Sequence, residues 1–466
     1  MEAVDMHRDH SKKTFSPTRR IAFSFLVVIL IGSLLLTLPI SNADKIAPYI
    51  DHLFIATSAT CVTGLVPVVV VTQYTFFGQL VILCLIQIGG LGFLTLLNLM
   101  IVVLKKKLSY TNKMVMQEAL NQSSMRGITR YIKRTIKYTF TLELLGAALL
   151  AIRFIPDFGL LKGIYYSLFH AISAFCNAGF DILGSQSLIG YQNDILVNLV
   201  ICFLIISGGL GFIVWIDLRM SWQKYKEKFR IFQLKRYLST LSIHTKIVLI
   251  MTTFLLFSGT VLFLVLEFNN PETLGPLSWF DKVLASFFQS TTLRTAGFAT
   301  VNMGALQDQT KFFMSIFMFI GGSPAGTAGG IKTVTFAICI LYVLSLVKGN
   351  DSVTLMKRTI PEQIVKRSMT ITFVSVTIVI IGLFCLTIVE DKAFIDLVFE
   401  VFSAFGTVGL TANVTPLLSN IGKIIIMILM YIGRIGPITM VLVFAKRYNQ
   451  MKGKNIIYPN GDVLIG

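Results

Sequence analysis

Long apolar runs alternate with polar linkers along the chain. A helix needs about 20 apolar residues to cross the hydrocarbon core of a bilayer, and eight runs reach that length. No small-residue cleavage site follows the first run, so it predicts a transmembrane helix and not a secretory signal. The second and sixth runs exceed one span, which indicates that they tilt, extend beyond the membrane or break. The predicted spans are 21–40, 72–104, 135–155, 193–216, 246–267, 311–347, 369–389 and 417–445.

Shorter apolar stretches lie between these spans, each after an odd-numbered span and before an even-numbered one. They contain about a dozen residues, which is too few to cross a core of about 30 Å. Such stretches are either re-entrant segments or buried core helices. They cover residues 49–60, 164–176, 281–293 and 394–406.

Composition and charge place the chain in a membrane. Hydrophobic residues make up 54% and charged residues 14%, which excludes an ordinary soluble enzyme or a disordered chain. Most of the 41 Lys and Arg are concentrated in the tails and in three linkers, so the positive-inside rule predicts that these segments are cytoplasmic. Binding of nucleic acid is the weaker explanation of the net charge of +18. The basic segments are 1–20, 105–137, 217–246, 348–367 and 446–466.

The short stretches form a fourfold repeat. Each is followed within four residues by a glycine, about 115 residues after the previous one, and each glycine follows a Phe by ten residues and a hydroxyl residue by six. A second glycine follows in the next span, where close helix packing explains it equally well. The repeated residues are Phe54, Ser58, Gly64 and Gly89; Phe169, Ser173, Gly179 and Gly208; Phe287, Thr291, Gly297 and Gly321; and Phe399, Ser403, Gly409 and Gly433.

This repeat predicts an all-α membrane protein of four tandem membrane–pore–membrane repeats. Eight transmembrane helices and four re-entrant pore helices then surround one pore. The predicted units are the cytoplasmic tail 1–20, the repeats 21–105, 132–218, 246–347 and 368–445, and the cytoplasmic tail 446–466.

The residues around the first set of glycines are candidates for a selectivity filter. Glycine permits positive φ, so successive carbonyls can face one axis, and rings of carbonyls replace the hydration shell of a K⁺-like ion. Mostly neutral side chains disfavour a Ca²⁺ or Mg²⁺ cage. The filter residues are Thr60, Cys61, Val62, Thr63 and Gly64; Cys176, Asn177, Ala178 and Gly179; Arg294, Thr295, Ala296 and Gly297; and Gly406, Thr407, Val408 and Gly409. The expected K⁺ ligands are the carbonyls of Val62, Thr63, Asn177, Ala178, Thr295, Ala296, Thr407 and Val408.

At these residues the sequence resembles the Trk/Ktr/HKT superfamily of K⁺ transporters, most closely the ion-translocating subunit of bacterial Ktr systems. The matching motifs are TCVTGL (60–65), HAISAFCNAGF (170–180), RTAGF (294–298), GGSPAGTAGGIK (321–332), FSAFGTVGLT (402–411) and YIGRIGPIT (431–439).

The resemblance implies K⁺ uptake, often stimulated by Na⁺, by a homodimer in the cytoplasmic membrane of a bacterium. It also implies a cytoplasmic nucleotide-binding regulatory ring of the RCK/KTN type. The single glycine per filter, in place of a TVGYG run, predicts less strict K⁺/Na⁺ selectivity. The sequence has no phosphate-binding motif of the GxxxxGK[ST] or Rossmann type, so we expect no nucleotide bound by this chain.

A glycine-rich stretch breaks the sixth span, where the resemblance implies an intramembrane gating loop. A Gly/Pro kink is the simpler explanation, but ten residues exceed a kink. We predict that the loop crosses the pore, that Lys332 adds a positive barrier, and that Arg434 either faces the pore, as the resemblance favours, or braces the loop. The candidate gate residues are Gly321, Gly322, Ser323, Pro324, Ala325, Gly326, Thr327, Ala328, Gly329, Gly330, Lys332 and Arg434.

Other polar groups in apolar segments have simpler expected roles. Arg294 is predicted to lie behind the filter, paired with Glu400, and His170 is predicted to be structural. The six cysteines are expected to be buried and unligated, without disulfides. An alternating-access carrier of another cation or metabolite remains the alternative function, with Glu143 as its candidate coupling carboxylate, although such carriers usually show inverted repeats. A non-conducting scaffold would leave the four glycines unexplained.

Overall fold

The computed structural model describes residues 17–43, 46–92, 128–228, 233–350 and 352–437. The predicted cytoplasmic tails therefore lie mostly outside the described residues, as do the linker 105–137 up to residue 127 and the end of the last predicted span. The described chain is helical apart from turns and one two-stranded hairpin, in which β1 (Thr354–Leu355) pairs with β2 (Arg358–Thr359).

One order of elements recurs four times: a long first helix, a short helix, a glycine turn and a second helix. We call these units quarters 1 to 4. Each first helix is long and apolar enough to cross a membrane, and side chains such as Phe257 and Phe373 on them are largely exposed. The first helices are α1 (Pro17–Thr37), α5 (Ile128–Phe158), α10 (Ile243–Glu267) and α14 (Glu362–Val389).

The short helices occupy the four apolar stretches that are too short to span. Each is buried over its C-terminal half, which packs inside the protein, whereas apolar side chains at the N-terminal ends, such as Leu161, Trp279 and Phe394, are exposed. Asp51, Asp281 and Asp396 lie in first turns, where a carboxylate interacts favourably with the helix dipole. The short helices are α2 (Tyr49–Cys61), α6 (Leu160–Phe175), α11 (Trp279–Thr292) and α15 (Phe394–Gly406).

The second helices are shorter or broken. Thr75, Asp194 and Ser419 cap three of them by accepting a hydrogen bond from a first-turn amide. The second helices are α4 (Phe76–Leu91), α7 (Ile195–Gly209) with α8 (Phe212–Lys228), α12 (Asp308–Phe319) with α13 (Thr333–Val347), and α16 (Asn420–Ile435). Two further short helices, α3 (Val70–Gln73) and α9 (Leu234–Thr240), and four 3₁₀ turns (Pro39–Ser41, Ile189–Tyr191, Met303–Ala305 and Thr415–Leu417) complete the described elements.

The prediction of eight spans includes these second helices, but residues 93–104 of the second predicted span and 438–445 of the last lie outside the described residues. In the described residues four helices pass a length and hydropathy test for spanning, or five if α7 and α8 count as one. The predicted span 193–216 bends by 91° between α7 and α8, at Gly211 with its φ of +86°. The predicted span 311–347 breaks between Phe319 and Thr333, one of the outcomes that its length allowed.

Polar contacts join the second helix of one quarter to the short helix of the next. Lys311 Nζ lies 2.7 Å from Asp396 Oδ1 and joins quarter 3 to quarter 4, and Lys423 Nζ lies 2.6 Å from Asp51 Oδ1 and joins quarter 4 to quarter 1. Between quarters 1 and 2, the hydroxyl of Tyr165 donates to Gln79 at 3.1 Å. Because α7 of quarter 2 also packs against α11 of quarter 3, the quarters follow one another around a closed ring.

We expect Asp51→Asn to destabilise the protein by about 3 kcal/mol, because it leaves the buried ammonium of Lys423 without its countercharge. The matched control is Glu362→Gln, which removes an ion pair with Lys366 that is exposed to solvent and therefore contributes little to stability. Thermal unfolding in detergent should separate the two variants. Equal melting temperatures would contradict a ring-closing role for the buried pair.

Candidate functional site

The four glycines meet in a closed ring. A methyl group added to Gly64 would lie 2.5 Å from the carbonyl oxygen of Ala178, and one added to Gly179 would lie 2.6 Å from that of Ala296. One added to Gly297 would lie 2.6 Å from the oxygen of Val408, and one added to Gly409 would clash with that of Thr63. Each turn therefore touches the next, in the order 1, 2, 3, 4 and back to 1.

The backbone of each turn alternates in handedness. All four glycines have positive φ, between +67° and +102°. The residue two positions earlier is also left-handed in every turn, and the residue between them is not. This alternation permits successive carbonyls to face the same side of the strand. The four left-handed non-glycine residues are Val62, Asn177, Thr295 and Thr407, with φ between +53° and +65°.

The repeated hydroxyl residues support three of the turns directly. Ser58 and Ser403 accept hydrogen bonds from the amides of Gly64 and Gly409, at 3.0 and 3.1 Å. Ser173 instead donates to the carbonyl of Phe180 at 2.7 Å. In quarter 3, Thr291 donates back to its own helix, so this turn lacks the hydroxyl contact found in the others.

The second glycine of each repeat allows close packing against the end of a short helix. A methyl group on Gly89, Gly208 or Gly433 would overlap the carbonyl oxygen of Thr60, Phe175 or Phe405 respectively. In quarter 3, a methyl group on Gly321 would instead overlap the carbonyl of Gly329. In quarter 3 the second helix is broken, and the second glycine therefore packs against the loop 321–332. In the other three quarters it packs against the end of a short helix.

This loop, residues 321–332, has a base in which its two ends pair and, between them, an arc of residues 323–329. The amide of Gly321 donates to the carbonyl of Ile331 at 2.9 Å, and the amide of Ile331 donates to that of Phe319 at 3.2 Å. Ser323 Oγ and Thr333 Oγ1 are 3.1 Å apart within a hydrogen bond at the same end. The two ends of the loop are therefore joined by backbone hydrogen bonds, and the arc lies between them.

The arc reaches quarter 2. The amides of Ser323 and Thr327 donate to the carbonyls of Gly209 and Gly208, at 2.9 and 3.3 Å. In return the amide of Phe212 donates to the carbonyl of Ala325 at 3.0 Å. The bend between α7 and α8 is thus the surface on which the arc lies.

The other side of the loop meets quarter 4. A methyl group on Gly329 would overlap the hydroxyl of Thr407, and one on Gly330 would lie 3.3 Å from the carbonyl of Gly406. Quarters 2 and 4 are opposite one another in the ring of glycine turns. Both quarters flank quarter 3, so the loop contacts its two neighbours in the ring, on the side of the second glycines.

Two partly buried cations hold this loop. Arg434 donates to the carbonyls of Thr327 and Gly89, which joins the loop to quarter 1 through the donor fork that the sequence offered as one of its two roles. Lys332 donates to the loop carbonyl of Ala328 at 2.6 Å. Both cations therefore donate hydrogen bonds to backbone carbonyl oxygens.

The predicted pair between Arg294 and Glu400 is wrong. Glu400 accepts hydrogen bonds from the hydroxyls of Thr411 and Thr415, the latter at 2.7 Å, and so braces the segment that follows turn 4. Arg294 is 3% exposed, and its guanidinium makes no hydrogen bond with any described residue. The pairing was inferred from charge alone, whereas threonines next along the chain satisfy the carboxylate.

The remaining candidates are packed behind the ring. Glu143 accepts a hydrogen bond from the amide of Gln87 at 3.1 Å, beside the thiol of Cys176. His170 Nδ1 lies 2.7 Å from the carbonyl of Tyr166, at a helical spacing that favours the structural role predicted for it. All six cysteines are free, and no cluster of metal-ligating side chains occurs in the described ranges. The expectation that all six are buried is wrong for three of them, because Cys84 is exposed and Cys339 and Cys385 are half-buried.

Sequence reasoning missed two features that the structure brings to the site. The ion pairs of Lys311 and Lys423 had a signal, because each lysine precedes its second glycine by ten residues. The contact between the hydroxyl of Thr327 and Asn177 Oδ1, at 2.9 Å, had none, because the two residues are 150 positions apart.

The known proteins to which this chain is similar are described as cation or potassium transport proteins. Residues 2–455 match the TrkH family, described as a cation transport protein. The chain is 43% identical to the Ktr system potassium uptake protein B of Bacillus subtilis, with 97% of each chain covered. It is 38% identical to the potassium/sodium uptake protein NtpJ of Enterococcus hirae, with 98% of each covered. The crystal structure of the potassium transporter TrkH from Vibrio parahaemolyticus has the same fold, with a TM-score of 0.70, 16% identity, and coverage of 94% of this chain and 87% of that one.

Proposed function

The chain belongs to the TrkH family of cation transport proteins, and from this premise we propose that it carries K⁺ into the cell through the ring of glycine turns. The observation that carries the proposal is the closed contact of Gly64, Gly179, Gly297 and Gly409. Relatives named for potassium uptake support K⁺ as the ion.

In this proposal the four turns form a carbonyl selectivity filter. The alternation of handedness turns the carbonyls of the left-handed residue and of its successor towards the axis of the ring. Thr63, Ala178, Ala296 and Val408 support this role, because each contacts the glycine of a neighbouring turn through its carbonyl oxygen. The ligands are then the same eight carbonyls that the sequence predicts, which would replace the water around a dehydrated K⁺.

The loop 321–332 is the proposed gate. Its contacts with the flanking quarters 2 and 4, and its link through Arg434 to Gly89 of quarter 1, support a position across the ion path, directly beneath the filter. Lys332 and Arg434 add two positive charges at this level, which oppose the passage of a cation while the loop is in place. Transport then requires the loop to leave the axis.

The subunit arrangement follows the family expectation. We propose a homodimer in the bacterial cytoplasmic membrane with both termini cytoplasmic, as the distribution of Lys and Arg supports. A cytoplasmic nucleotide-binding ring of the RCK/KTN type is the proposed regulator, since relatives are named as parts of a Ktr system. Stimulation by Na⁺ is proposed because one relative is named for potassium and sodium uptake.

A carrier with alternating access is the competing function, and the polarity of the repeats disfavours it. Each quarter runs first helix, short helix, glycine turn, second helix in that order, whereas such carriers are usually built from inverted repeats. Glu143, the carboxylate that such a mechanism would use, is held by Gln87 behind turn 2.

The proposed function is tested by growth of a bacterium that lacks its own K⁺ uptake systems. Cells that express this chain should grow at K⁺ concentrations about tenfold lower than cells with an empty vector, and co-expression of the regulatory ring should extend this gain. Uptake of Rb⁺ as a tracer gives the rate directly. If the chain reaches the membrane, as a fluorescent fusion would report, and neither growth nor Rb⁺ uptake improves with or without the ring, K⁺ uptake is excluded.

A further inference from the structure

One residue of the glycine turns differs in kind from its counterparts. Two positions before the glycine, the turns carry Val62, Asn177, Thr295 and Thr407, all with left-handed backbone. Asparagine adopts this conformation with little strain, and among the four it alone brings an amide group. Its side chain is fully buried and faces Gly208, on the side of the ring where the loop lies.

The amide of Asn177 joins three segments. Its Nδ2 donates to the carbonyl of Arg294 in turn 3 at 3.0 Å. Its Oδ1 accepts from the hydroxyl of Thr327 in the loop at 2.9 Å, and the same hydroxyl lies 3.2 Å from the carbonyl of Phe175. Because a carbonyl can only accept, the contact with Arg294 fixes which end of the amide faces the loop.

We propose that Asn177 couples the loop to the filter, so that loop displacement changes K⁺/Na⁺ discrimination as well as flux. While Thr327 is in place, the amide is held at both ends and immobilises the carbonyl of Arg294 next to turn 3. When the loop leaves, Oδ1 loses its donor, and the amide is free to release that carbonyl. This inference rests on the proposed function, since it assigns the filter to the turns and the gate to the loop.

A second observation explains why this coupling acts through turns 2 and 3. Turn 3 lacks the hydroxyl-to-amide contact that supports turns 1 and 4, because Thr291 bonds within its own helix. The guanidinium of Arg294 makes no hydrogen bond with the described residues. Asn177 therefore supplies a cross-link to the turn with the weakest support of its own.

The test compares two variants that each remove one loop hydroxyl with little change in volume. Thr327→Val removes the donor to Asn177, and Thr333→Val removes a hydroxyl contact with Ser323 at the loop base, away from the filter. Both loosen the loop and should raise K⁺ flux from proteoliposomes. Only Thr327→Val should also lower the ratio of K⁺ to Na⁺ flux, by about fivefold, the effect of one neutral hydrogen bond.

A third variant changes Asn177, the filter residue of the same hydrogen-bonded contact. Asn177→Asp keeps an acceptor for Thr327 but cannot donate to Arg294, so it should also lower the K⁺/Na⁺ ratio. The double variant that combines Thr327→Val with Asn177→Asp should lower the K⁺/Na⁺ ratio no further than the more damaging single substitution does. Both substitutions act on one chain of hydrogen bonds, so their effects should not add.

The outcomes separate this inference from the proposed function. An unchanged ratio in Thr327→Val, an equal change in Thr333→Val, or additive effects in the double variant would overturn the coupling while K⁺ flux persists. Absence of K⁺ flux in the unmodified protein would instead reject the proposed function.

Discussion

Replacing Gly409 by alanine should abolish K⁺ uptake and reduce growth at low K⁺ to that of cells without the protein. The backbone of Gly409 has a φ of +93°, a conformation that costs about 1–2 kcal/mol for a residue with a side chain. The added methyl group would also overlap the carbonyl oxygen of Thr63 in the adjacent turn. That oxygen belongs to the proposed ring of K⁺ ligands, so relief of the clash displaces a ligand from the ion path.

Gly190 provides the matched control, because a methyl group added there meets nothing within 4 Å and its φ is not positive. Gly190→Ala should therefore retain uptake. The amount of each variant in the membrane, measured by immunoblot, separates loss of conduction from loss of protein. Normal Rb⁺ uptake by Gly409→Ala would show that the ring of glycine turns is not the ion path.

The positions of the short helices and glycine turns are predictable from the sequence. They follow from two local signals, an apolar stretch of half the spanning length and a glycine at constant spacing from a Phe and a hydroxyl residue. The periodicity holds because each glycine solves the same packing problem against the next turn. The glycine-rich break of the sixth span is predictable for a similar reason, since no stable helix runs through 321–330.

Contacts between quarters are not predictable in this way. Arg294 and Glu400 lie in adjacent short segments of quarters 3 and 4, yet Glu400 bonds to Thr411 and Thr415 of its own quarter. A carboxylate is satisfied by whichever donors the local turn presents, and charge alone does not rank them. At the 91° bend between α7 and α8, Gly211 lies against Pro324 in the loop of another quarter, and the local sequence gives no sign of this contact.

Deleting residues 323–329 should raise K⁺ flux in the absence of the regulatory ring by at least about tenfold. The arc that this removes is held by hydrogen bonds to Gly208, Gly209, Phe212 and Asn177. Each such bond is worth about 1 kcal/mol, and about 1.4 kcal/mol corresponds to tenfold in a gating equilibrium. The base of the loop, where Gly321 pairs with Ile331, brings the cut ends together, so the deletion leaves α12 and α13 in register.

Substitution of Arg434 tests whether the loop itself or the positive charge of this residue blocks the path of the ion. Arg434→Gln removes the tether to Thr327 and should raise K⁺ flux less than the deletion does, since the contacts with quarter 2 remain. If Arg434 only braces the loop, the same substitution adds nothing once 323–329 are gone, whereas a direct electrostatic barrier adds a further increase. The measurement is K⁺ flux from proteoliposomes that contain the unmodified protein, the deletion, Arg434→Gln or the combination of the two changes. It gives the effect of the loop and the effect of the charge separately. Unchanged flux after the deletion, combined with raised flux in Arg434→Gln, would move the gate from the loop to the arginine.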